Sequence, residues 1–206
     1  MLSVFDDEAL RAGMQGADAV VNMVGILNEK GRNGRGFHRA HVELAEKLIA
    51  AARESGVRRF VQVSALGAGE GSSHYQASKG EAEERIRAAQ DLDWTIFRPS
   101  VIFGPGDSFF NRFAELLRLS PGFFPLACPD ARFAPVYVGD VAAAFARSLN
   151  DPATFGQHYD LCGPRAFTLR ELVAYTADNI GRPTWVLGLG DTASRLQARL
   201  LGLLPG

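Results

Sequence analysis

The chain has 206 residues, 47% of them hydrophobic and 22% charged, and its formal net charge is -1, a composition typical of soluble globular proteins. The near-zero charge and the lack of a basic run argue against nucleic-acid binding, because nothing in such a sequence attracts a phosphate backbone. Two cysteines cannot form a disulfide framework, no stretch approaches the roughly 18 apolar residues of a membrane span, and no leader is recognisable, so we expect a cytoplasmic protein.

The first part of the chain alternates between helix and strand patterns. Residues 6–13 predict a short helix, and residues 18–24 form an apolar run typical of a strand buried on both faces of a parallel sheet. Apolar residues then recur at helical spacing over residues 37–55, and Gly56 marks the end of that helix. Helix, strand and helix therefore follow one another within the first 56 residues.

A second strand is predicted at 58–64 and a helix at 75–90, and a third strand at 94–98 is ended by Pro99. Each strand–helix–strand unit implies that its two strands pair in parallel through a right-handed crossover. The predicted fold class is therefore α/β, with an open doubly wound parallel sheet. On the helix at 75–90, four-residue spacing predicts two ion pairs on the solvated side, namely Glu81 with Arg85 and Glu83 with Arg87.

The pattern changes beyond Pro99. The predicted elements are a phenylalanine-rich helix at 109–117, an extended segment at 135–138, a helix at 140–149, a strand at 157–161 and a capping box at 168–171 that opens a helix to about residue 180. Residues 191–204 are leucine-rich, and we interpret them as a helix packed on a neighbouring lobe, with a membrane-surface anchor as the alternative. The predicted division is a nucleotide-binding domain over residues 1–150, with a lobe insertion at about 104–135, and a C-terminal substrate or docking lobe over residues 151–206.

Three polar residues could carry chemistry. Tyr75 and Lys79 are four apart on one face of the predicted helix, and Ser64 ends the strand before it. Ligands of open α/β sheets bind beyond the carboxyl ends of the strands, where Ser64 lies. An ammonium beside a phenol favours the phenolate, so Lys79 could bring the pKa of Tyr75 toward the working range. Ser64 could position a carbonyl or an alcohol, because a hydroxyl both donates and accepts.

Five segments together resemble a known superfamily. They are GADAVVNMVGIL (16–27), FVQVSALG (60–67), YQASKGEAE (75–83), FRPSVIFGPGD (97–107) and PVYVGDV (135–141). In these segments the chain resembles the extended and atypical short-chain dehydrogenase/reductases, which include the NAD-dependent epimerase/dehydratase type. The resemblance extends over about residues 3–182. It is strongest to the branch that contains the bacterial relatives of the nucleotide-binding accessory subunit of respiratory complex I.

The resemblance implies a Rossmann-type fold that binds NAD or NADP, with a role for each matching residue. It implies that Asn22 and Gly25 lie along the adenine ribose. Ser64, Tyr75 and Lys79 are then the catalytic trio, and Lys79 also bonds the nicotinamide ribose. Pro99, Ser100 and Val101 are implied to pass beside the nicotinamide. No metal is implied. The four histidines also lack the neighbouring cysteines or carboxylates that would complete a metal site.

The chain departs from that family at its start. The family opens with a strand and a glycine-rich turn whose backbone amides bind the pyrophosphate. Gly31, Gly34 and Gly36 do not form this turn, because they follow the strand at 18–24 and no apolar helix start comes at the right point. We therefore expect an N-terminally truncated domain, short of two strand–helix units and a strand, in which the residues that distinguish NAD from NADP are missing.

Two functions follow from these observations. The retained trio favours an NAD(P)-dependent oxidoreductase or epimerase that acts on the carbonyl or alcohol of a small-molecule substrate. The branch resemblance favours a non-catalytic nucleotide-binding accessory or assembly protein of a respiratory NADH dehydrogenase-type complex, docked through its C-terminal lobe at the periphery of the inner membrane. Both functions require a nicotinamide dinucleotide as partner. We expect the oxidoreductase or epimerase, with the accessory protein as the alternative.

Overall fold

The computed structural model describes residues 4–29, 31 and 33–190. The chain divides into two compact units, the first formed by Met1–Ser100 and Asp140–Leu161 and the second by Val101–Gly139 and Cys162–Gly206. Residues 151–161, which the sequence pattern assigns to a C-terminal lobe, thus belong with the first unit. The leucine-rich segment predicted to be helical at 191–204 lies outside the described residues.

Helices and strands alternate along the described chain. Their order is α1 (Asp7–Met14), β1 (Ala19–Asn22), α2 (Arg35–His38), a π-helical segment (Arg39–Glu43), α3 (Leu44–Glu54), β2 (Arg59–Val63), α4 (His74–Ala88), β3 (Asp93–Pro99), β4 (Ile102–Phe103), α5 (Ser108–Leu119), β5 (Phe123–Leu126), β6 (Arg132–Phe133), β7 (Val136–Tyr137), α6 (Val138–Ser148), a 3-10 turn (Pro152–Thr154), β8 (Gln157–Leu161), β9 (Phe167–Thr168), α7 (Leu169–Asn179) and β10 (Trp185–Gly188). The helices and strands predicted from the sequence are confirmed wherever the chain is described. Several of the short strands are not predicted.

The first unit is built on a four-stranded parallel sheet in the order β1-β2-β3-β8. β2 lies between β1 and β3, in a register that sets Phe60 opposite Val20 on one side and Trp94 on the other. β3 continues to β8, where Ile96 lies opposite His158. Both strand–helix–strand units therefore pair in parallel, which confirms the predicted α/β fold class. Phe60 and Ile96 are fully buried because their strands lie inside the sheet.

The core of the first unit forms where α3 and α4 pack on this sheet. Apolar residues at four-residue spacing make α3 amphipathic, so Leu44, Leu48 and Ala52 share one face and are buried. They join Phe60 and Ile86 in one apolar cluster. Full burial of a leucine side chain stabilises a fold by roughly 1.5–3 kcal/mol, so this cluster contributes a large share of the stability of the unit.

α2, the π-helical segment and α3 form one continuous helical stretch. The segment at Arg39–Glu43 widens the turn in the middle of a helix that the sequence predicts to be regular. Three consecutive residues of it, Ala40, His41 and Val42, are buried. A regular amphipathic helix buries residues at spacings of three and four instead. The π-helical segment therefore brings into the interior a side chain that the apolar pattern does not predict there.

The second unit contains α5, α7 and three two-stranded pairs, β5 with β10, β4 with β7 and β6 with β9. Leu117, Leu126 and Val173 form its buried core. Asp107 caps α5 by accepting a hydrogen bond from the Phe110 backbone N–H at 2.7 Å. The unit is therefore held by helix-to-strand packing and by defined helix ends.

Two local sequence patterns are confirmed on the helices. Thr168 and Glu171 form the predicted capping box of α7, each side chain accepting from the backbone N–H of the other residue. Glu81 and Arg85 form the predicted ion pair on α4 at 3.1 Å.

Among residues 4–190, as far as they are described, no helix is both long enough and apolar enough to cross a membrane.

α4 lies very close to the loop before it. A β-carbon at Gly80 would stand 2.5 Å from the Gly69 Cα and 2.8 Å from the Gly69 nitrogen. The same loop bonds to the helix, since the Gly69 N–H donates to the Gln76 carbonyl oxygen at 2.9 Å. The atoms in contact belong to two backbones, which cannot rotate away as a flexible side chain could. The close approach therefore requires glycine at position 80.

We predict that Gly80→Ala lowers the free energy of unfolding by about 2 kcal/mol or more, because the added methyl group must push the loop away from α4. Gly13→Ala is the matched control, since Gly13 is also helical and nothing lies within 4 Å of a β-carbon there. That substitution is expected to be neutral or to stabilise by up to about 1 kcal/mol. Urea unfolding of both variants measures the two values, and equal losses would show that the backbones can separate at no cost.

Candidate active site

The predicted site residues converge on the carboxyl edge of the parallel sheet. β1 ends at Asn22, Ser64 directly follows β2, and β3 ends at Pro99. The carboxyl ends of parallel strands share one edge, which is where open α/β sheets bind ligands. α4 follows β2 and carries Tyr75 and Lys79 about one turn apart. The fold thus brings polar groups of two strands and one helix to a single edge.

Asn22 shapes the loop that leaves β1. Its Nδ2 donates to Gln62 Oε1 at 2.8 Å, and its Oδ1 accepts from the Val24 backbone N–H at 3.1 Å. The side chain is buried, so it turns the chain toward Gly25 and does not project into solvent. The contact between Asn22 and an adenine ribose stays a prediction.

Lys79 carries a buried ammonium group with hydrogen-bonding capacity to spare. Only 5% of the residue is exposed, and its single hydrogen bond among the described residues goes from Nζ to the Val63 carbonyl oxygen at 3.3 Å. Burial lowers its pKa to about 8, while Glu83 acts in the opposite direction. A β-carbon at Gly25 would stand 3.2 Å from this Nζ, so the missing side chain leaves room beside the ammonium. The remaining N–H donors of Lys79 fit the hydroxyls of a ribose.

Tyr75 presents a phenol that keeps its proton. Its ring packs edge-on against Phe37 and His41, with centroid distances of 5.9 and 5.5 Å. Burial raises the pKa of the hydroxyl, whereas the sequence predicts that Lys79 brings it down. That prediction is wrong in direction, because removal from water disfavours the charged phenolate. The phenol is therefore protonated at neutral pH, as a proton donor must be.

Ser64 is bonded to a buried carboxylate. Its Oγ donates to Glu83 Oε1 at 2.5 Å, while Glu83 Oε2 accepts from Arg98 at 2.6 Å and from Arg87 at 2.9 Å. The predicted pair of Glu83 with Arg87 exists, but its predicted place on the solvated side is wrong, since only 1% of Glu83 is exposed. The carboxylate is buried because α4 turns it toward β3, where Arg98 neutralises it. The Ser64 hydroxyl thus uses its only proton in the hydrogen bond to Glu83.

The chain leaves the first unit just after β3. The Pro99 carbonyl oxygen accepts from the Leu66 N–H at 3.0 Å, and the Ser100 N–H donates to the Leu161 carbonyl oxygen at 2.9 Å. Both residues therefore lie at the same sheet edge as the rest of the site. Val101 is the first residue of the second unit, so its predicted place beside a nicotinamide stays a prediction.

The loop glycines after β1 bind a carboxylate of the chain itself. Glu29 accepts hydrogen bonds from the backbone N–H groups of Gly34 and Gly36, both at 2.8 Å. These amides stand at the beginning of α2, where a helix favours an anion. Glu29 therefore occupies the amides that would otherwise be available to a phosphate at this point.

Sequence analysis does not assign three residues of this region to the site: His41, Ser78 and Glu83. Glu83 could have been found, because it continues the four-residue spacing of Tyr75 and Lys79 along one face of α4. His41 is only 2% exposed, and burial, followed by the charge of Lys79, lowers its pKa to about 4. No local pattern predicts this. In the part of the chain that the structure describes, no three histidine, cysteine or carboxylate side chains come together as a metal site.

Comparisons with known proteins identify the family of the chain. A family profile described as NAD(P)H-binding matches residues 1–107, and the profile of the 3-beta hydroxysteroid dehydrogenase/isomerase family matches residues 69–167. The chain is 36% identical over 179 residues to the mitochondrial NADH dehydrogenase (ubiquinone) 1 alpha subcomplex subunit 9 of Arabidopsis thaliana, covering 85% of this chain and 44% of that protein. It is 38% identical over 138 residues to a ceramide reductase of Caulobacter vibrioides, covering 65% and 42%. The chain thus spans less than half the length of either relative.

Solved structures share the fold. The dTDP-glucose 4,6-dehydratase of Streptomyces venezuelae, solved with NAD and TYD bound, superimposes with a TM-score of 0.80 at 23% identity and covers 100% of this chain and 73% of that one. The UDP-glucose 4-epimerase of Thermus thermophilus, solved with NAD, gives 0.75 at 20% identity and covers 96% and 77%. Such identities support the Rossmann-type fold, and they say nothing of the substrate.

We predict that His41 makes the folded chain sensitive to mild acid. Its pKa is about 4 in the folded chain and about 6.5 when unfolded, so the unfolded state takes up the proton first as the pH falls. The contribution of His41 to the free energy of unfolding is therefore full above pH 6.5 and is lost between pH 6.5 and 4, by up to roughly 3 kcal/mol. Chemical unfolding at pH 7 and pH 4.5 measures this loss, which should be smaller in His41→Asn.

His38→Asn is the control for that pH series. His38 lies on the same helical stretch with about half of its side chain exposed, so this variant should lose as much stability as the wild type. If His41→Asn and the wild type lose equally, another group accounts for the acid sensitivity.

We predict that Ser64→Ala destabilises the fold by about 1–3 kcal/mol, because the buried Glu83 carboxylate is left short of one donor. Ser72→Ala is the matched control, since Ser72 is exposed in the loop before α4 and its removal should change stability by less than about 0.5 kcal/mol. Thermal unfolding compares the two variants. A Ser64→Ala protein as stable as the wild type would mean that the hydrogen bond to Glu83 adds nothing to the fold.

Proposed function

The chain belongs to the NAD(P)H-binding family within the extended short-chain dehydrogenase/reductase superfamily, and from that premise we propose that it is an oxidoreductase acting on a small-molecule carbonyl or alcohol with NADH or NADPH. One observation carries the proposal. A protonated Tyr75 and a buried Lys79 with free donors stand about one turn apart at the ligand-binding edge of the sheet. A proton donor beside a fixed cation is the equipment that carbonyl reduction requires.

The residues present fit the ribose and nicotinamide end of a dinucleotide. Lys79 has donors for ribose hydroxyls, and Gly25 leaves space next to its ammonium. The described residues offer no free glycine-rich turn for the pyrophosphate, since Glu29 occupies the amides of Gly34 and Gly36. The proposal therefore concerns the half of the dinucleotide that reaches the reacting carbon.

The chemistry is divided between the dinucleotide and the chain. When bound, the reduced nicotinamide supplies the hydride that adds to the carbonyl carbon. The Tyr75 hydroxyl gives its proton to the carbonyl oxygen, so the C=O double bond becomes a C–OH single bond and a phenolate is left. Lys79 takes part by holding the ribose through its remaining N–H donors. Alcohol oxidation runs through the same groups in reverse.

Ser64 enters this scheme as an acceptor. Its O–H donates to Glu83 at 2.5 Å, so its oxygen can receive a hydrogen bond from a substrate alcohol. Holding a carbonyl oxygen would require the hydroxyl to leave Glu83. We therefore assign Ser64 to the orientation of the alcohol form of the substrate.

One observation supports an apolar substrate. The relative from Caulobacter vibrioides bears the name of a ceramide reductase. We therefore include lipid ketones among the substrates to be tested.

A second candidate function is that of a nucleotide-binding accessory protein of a respiratory NADH dehydrogenase. The observation that favours it is the 36% identity to the Arabidopsis subunit. Such a protein would hold the dinucleotide as a structural part without turning it over. Binding and turnover therefore separate the two candidates.

We predict that the wild-type chain quenches or shifts the fluorescence of NADH or NADPH on titration and reduces at least one ketone from a panel of sterols, long-chain acyl ketones and quinones. Tyr75→Phe should keep nucleotide binding and lose turnover by about 10²- to 10⁴-fold, because the proton donor is gone. Lys79→Met should weaken nucleotide binding by roughly tenfold or more, because a charged donor to the ribose is lost.

Tyr175→Phe is the matched control, since Tyr175 is an exposed tyrosine on α7 and its loss should change neither quantity. Nucleotide binding by the wild type without turnover of any ketone would favour the accessory function. Absence of binding to both NADH and NADPH would reject both candidates for this chain.

A further inference from the structure

We propose that His41 is a positioning residue of the candidate active site, whose imidazole joins the loop after β1 to α4 and thereby sets where Tyr75 and Lys79 stand. His41 lies outside the trio that the family resemblance assigns. Its effect on nucleotide use rests on the proposed function above. The placement of the two side chains does not, and it can be measured without nucleotide.

Three hydrogen bonds form a series that runs in one direction, and the His41 ring makes two of them. The Ile26 backbone N–H donates to His41 Nε2 at 3.3 Å, and His41 Nδ1 lies 2.8 Å from Ser78 Oγ. The Ser78 hydroxyl in turn donates to the Tyr75 carbonyl oxygen at 2.9 Å. The series begins in the loop that carries Gly25 and ends on the backbone of the tyrosine. The ring is thus the only link in this series that spans the two elements.

These partners allow one state of the ring. Because the Ile26 N–H can only donate, Nε2 must keep its lone pair. Because the Ser78 proton goes to the Tyr75 carbonyl, the Ser78 oxygen must accept from an N–H on Nδ1. His41 is therefore a neutral imidazole with its proton on Nδ1, in agreement with the low pKa that burial gives it.

The ring also packs on the groups that it positions. The Tyr75 ring meets it edge-on at 5.5 Å, and Phe37 lies 5.9 Å away between centroids. On its Nε2 side, a β-carbon at Gly25 would stand 3.7 Å from the imidazole and 3.2 Å from Lys79 Nζ. An ammonium is tolerated there because the ring is neutral, whereas an imidazolium would repel it. This position therefore requires a planar, uncharged side chain with a hydrogen-bond acceptor on one side and a donor on the other.

Two amide substitutions separate the two ends of the series. Asparagine is shorter than histidine, and its side-chain N–H can replace the Nδ1 proton toward Ser78 without reaching Ile26. Glutamine is longer, and its carbonyl oxygen can replace Nε2 toward Ile26. His41→Leu keeps similar bulk and removes both ends. His38→Leu is the matched control, since His38 is half exposed on the same helical stretch.

NMR of the nucleotide-free protein tests the placement directly. At pH 7 the wild-type imidazole is expected to carry its proton on Nδ1 and a lone pair on Nε2. In His41→Leu the ring signals of Tyr75 and the ε-methylene signals of Lys79 should shift, and in His38→Leu they should stay. An Nε2–H tautomer in the wild type, or unmoved Tyr75 and Lys79 signals in a folded His41→Leu, overturns the proposal. The wild-type measurement decides even if the leucine variant fails to fold.

Kinetics distinguishes positioning from simple support of the fold. His41→Asn frees the loop after β1, so KM for the nucleotide should rise roughly five- to tenfold while kcat stays near the wild-type value. His41→Gln frees the backbone of Tyr75, so kcat should fall by a similar factor at nearly unchanged KM. If both variants change KM and kcat alike, His41 acts through stability alone and the proposal is rejected. If the wild type binds no nucleotide, the proposed function fails, and the NMR result alone decides the placement.

Discussion

A single buried carboxylate holds together the elements on which the candidate site depends. Glu83 receives the hydroxyl of Ser64 at the end of β2 and the guanidinium of Arg98 near the end of β3. An unpaired charge at this depth would cost several kcal/mol, so the three groups must meet for the fold to form. α4 cannot rotate or slide without breaking that meeting. The position of α4, which carries Tyr75 and Lys79 earlier on the same helix, follows from it, and the placement of those two side chains is what we assign to His41.

The face of α4 that meets the sheet edge carries a neutral, a positive and a negative side chain in succession. Tyr75 is neutral, Lys79 is cationic and Glu83 is anionic, each four residues after the last. Burial lowers the pKa of the Lys79 ammonium, and the negative charge of Glu83 raises it. His41 completes the arrangement by staying uncharged on the other side of the ammonium. One cation thus faces the ligand edge, with its counter-charge behind it and a neutral ring beside it.

The sequence predicts the features that depend on a local pattern. It does not predict the burial of side chains that depends on residues distant in the chain. β2, β8 and the capping box at Thr168 follow from short-range patterns within one segment. The burial of Glu83 depends on Arg98, which another strand brings to it, and an ion pair with Arg87 alone looks like a surface pair. The burial of His41 depends on a π-helical segment that no periodicity signals. The placement of Ser64, Tyr75 and Lys79 at one sheet edge was thus within reach of sequence analysis, whereas His41 and the protonation and bonding of these groups were not.

The first unit is completed by a strand that arrives late in the chain. Thr95 on β3 pairs with Gln157 on β8, and the whole of Val101–Gly139 belongs to the other unit in between. Pairing over so long a separation is slow, because the intervening chain must be ordered or held aside first. During synthesis the edge of β3 stays open after α4 is already present. The N–H of Ser100 gains its partner at Leu161 only when β8 docks, so this corner of the ligand edge depends on a strand that follows the second-unit segment in the chain.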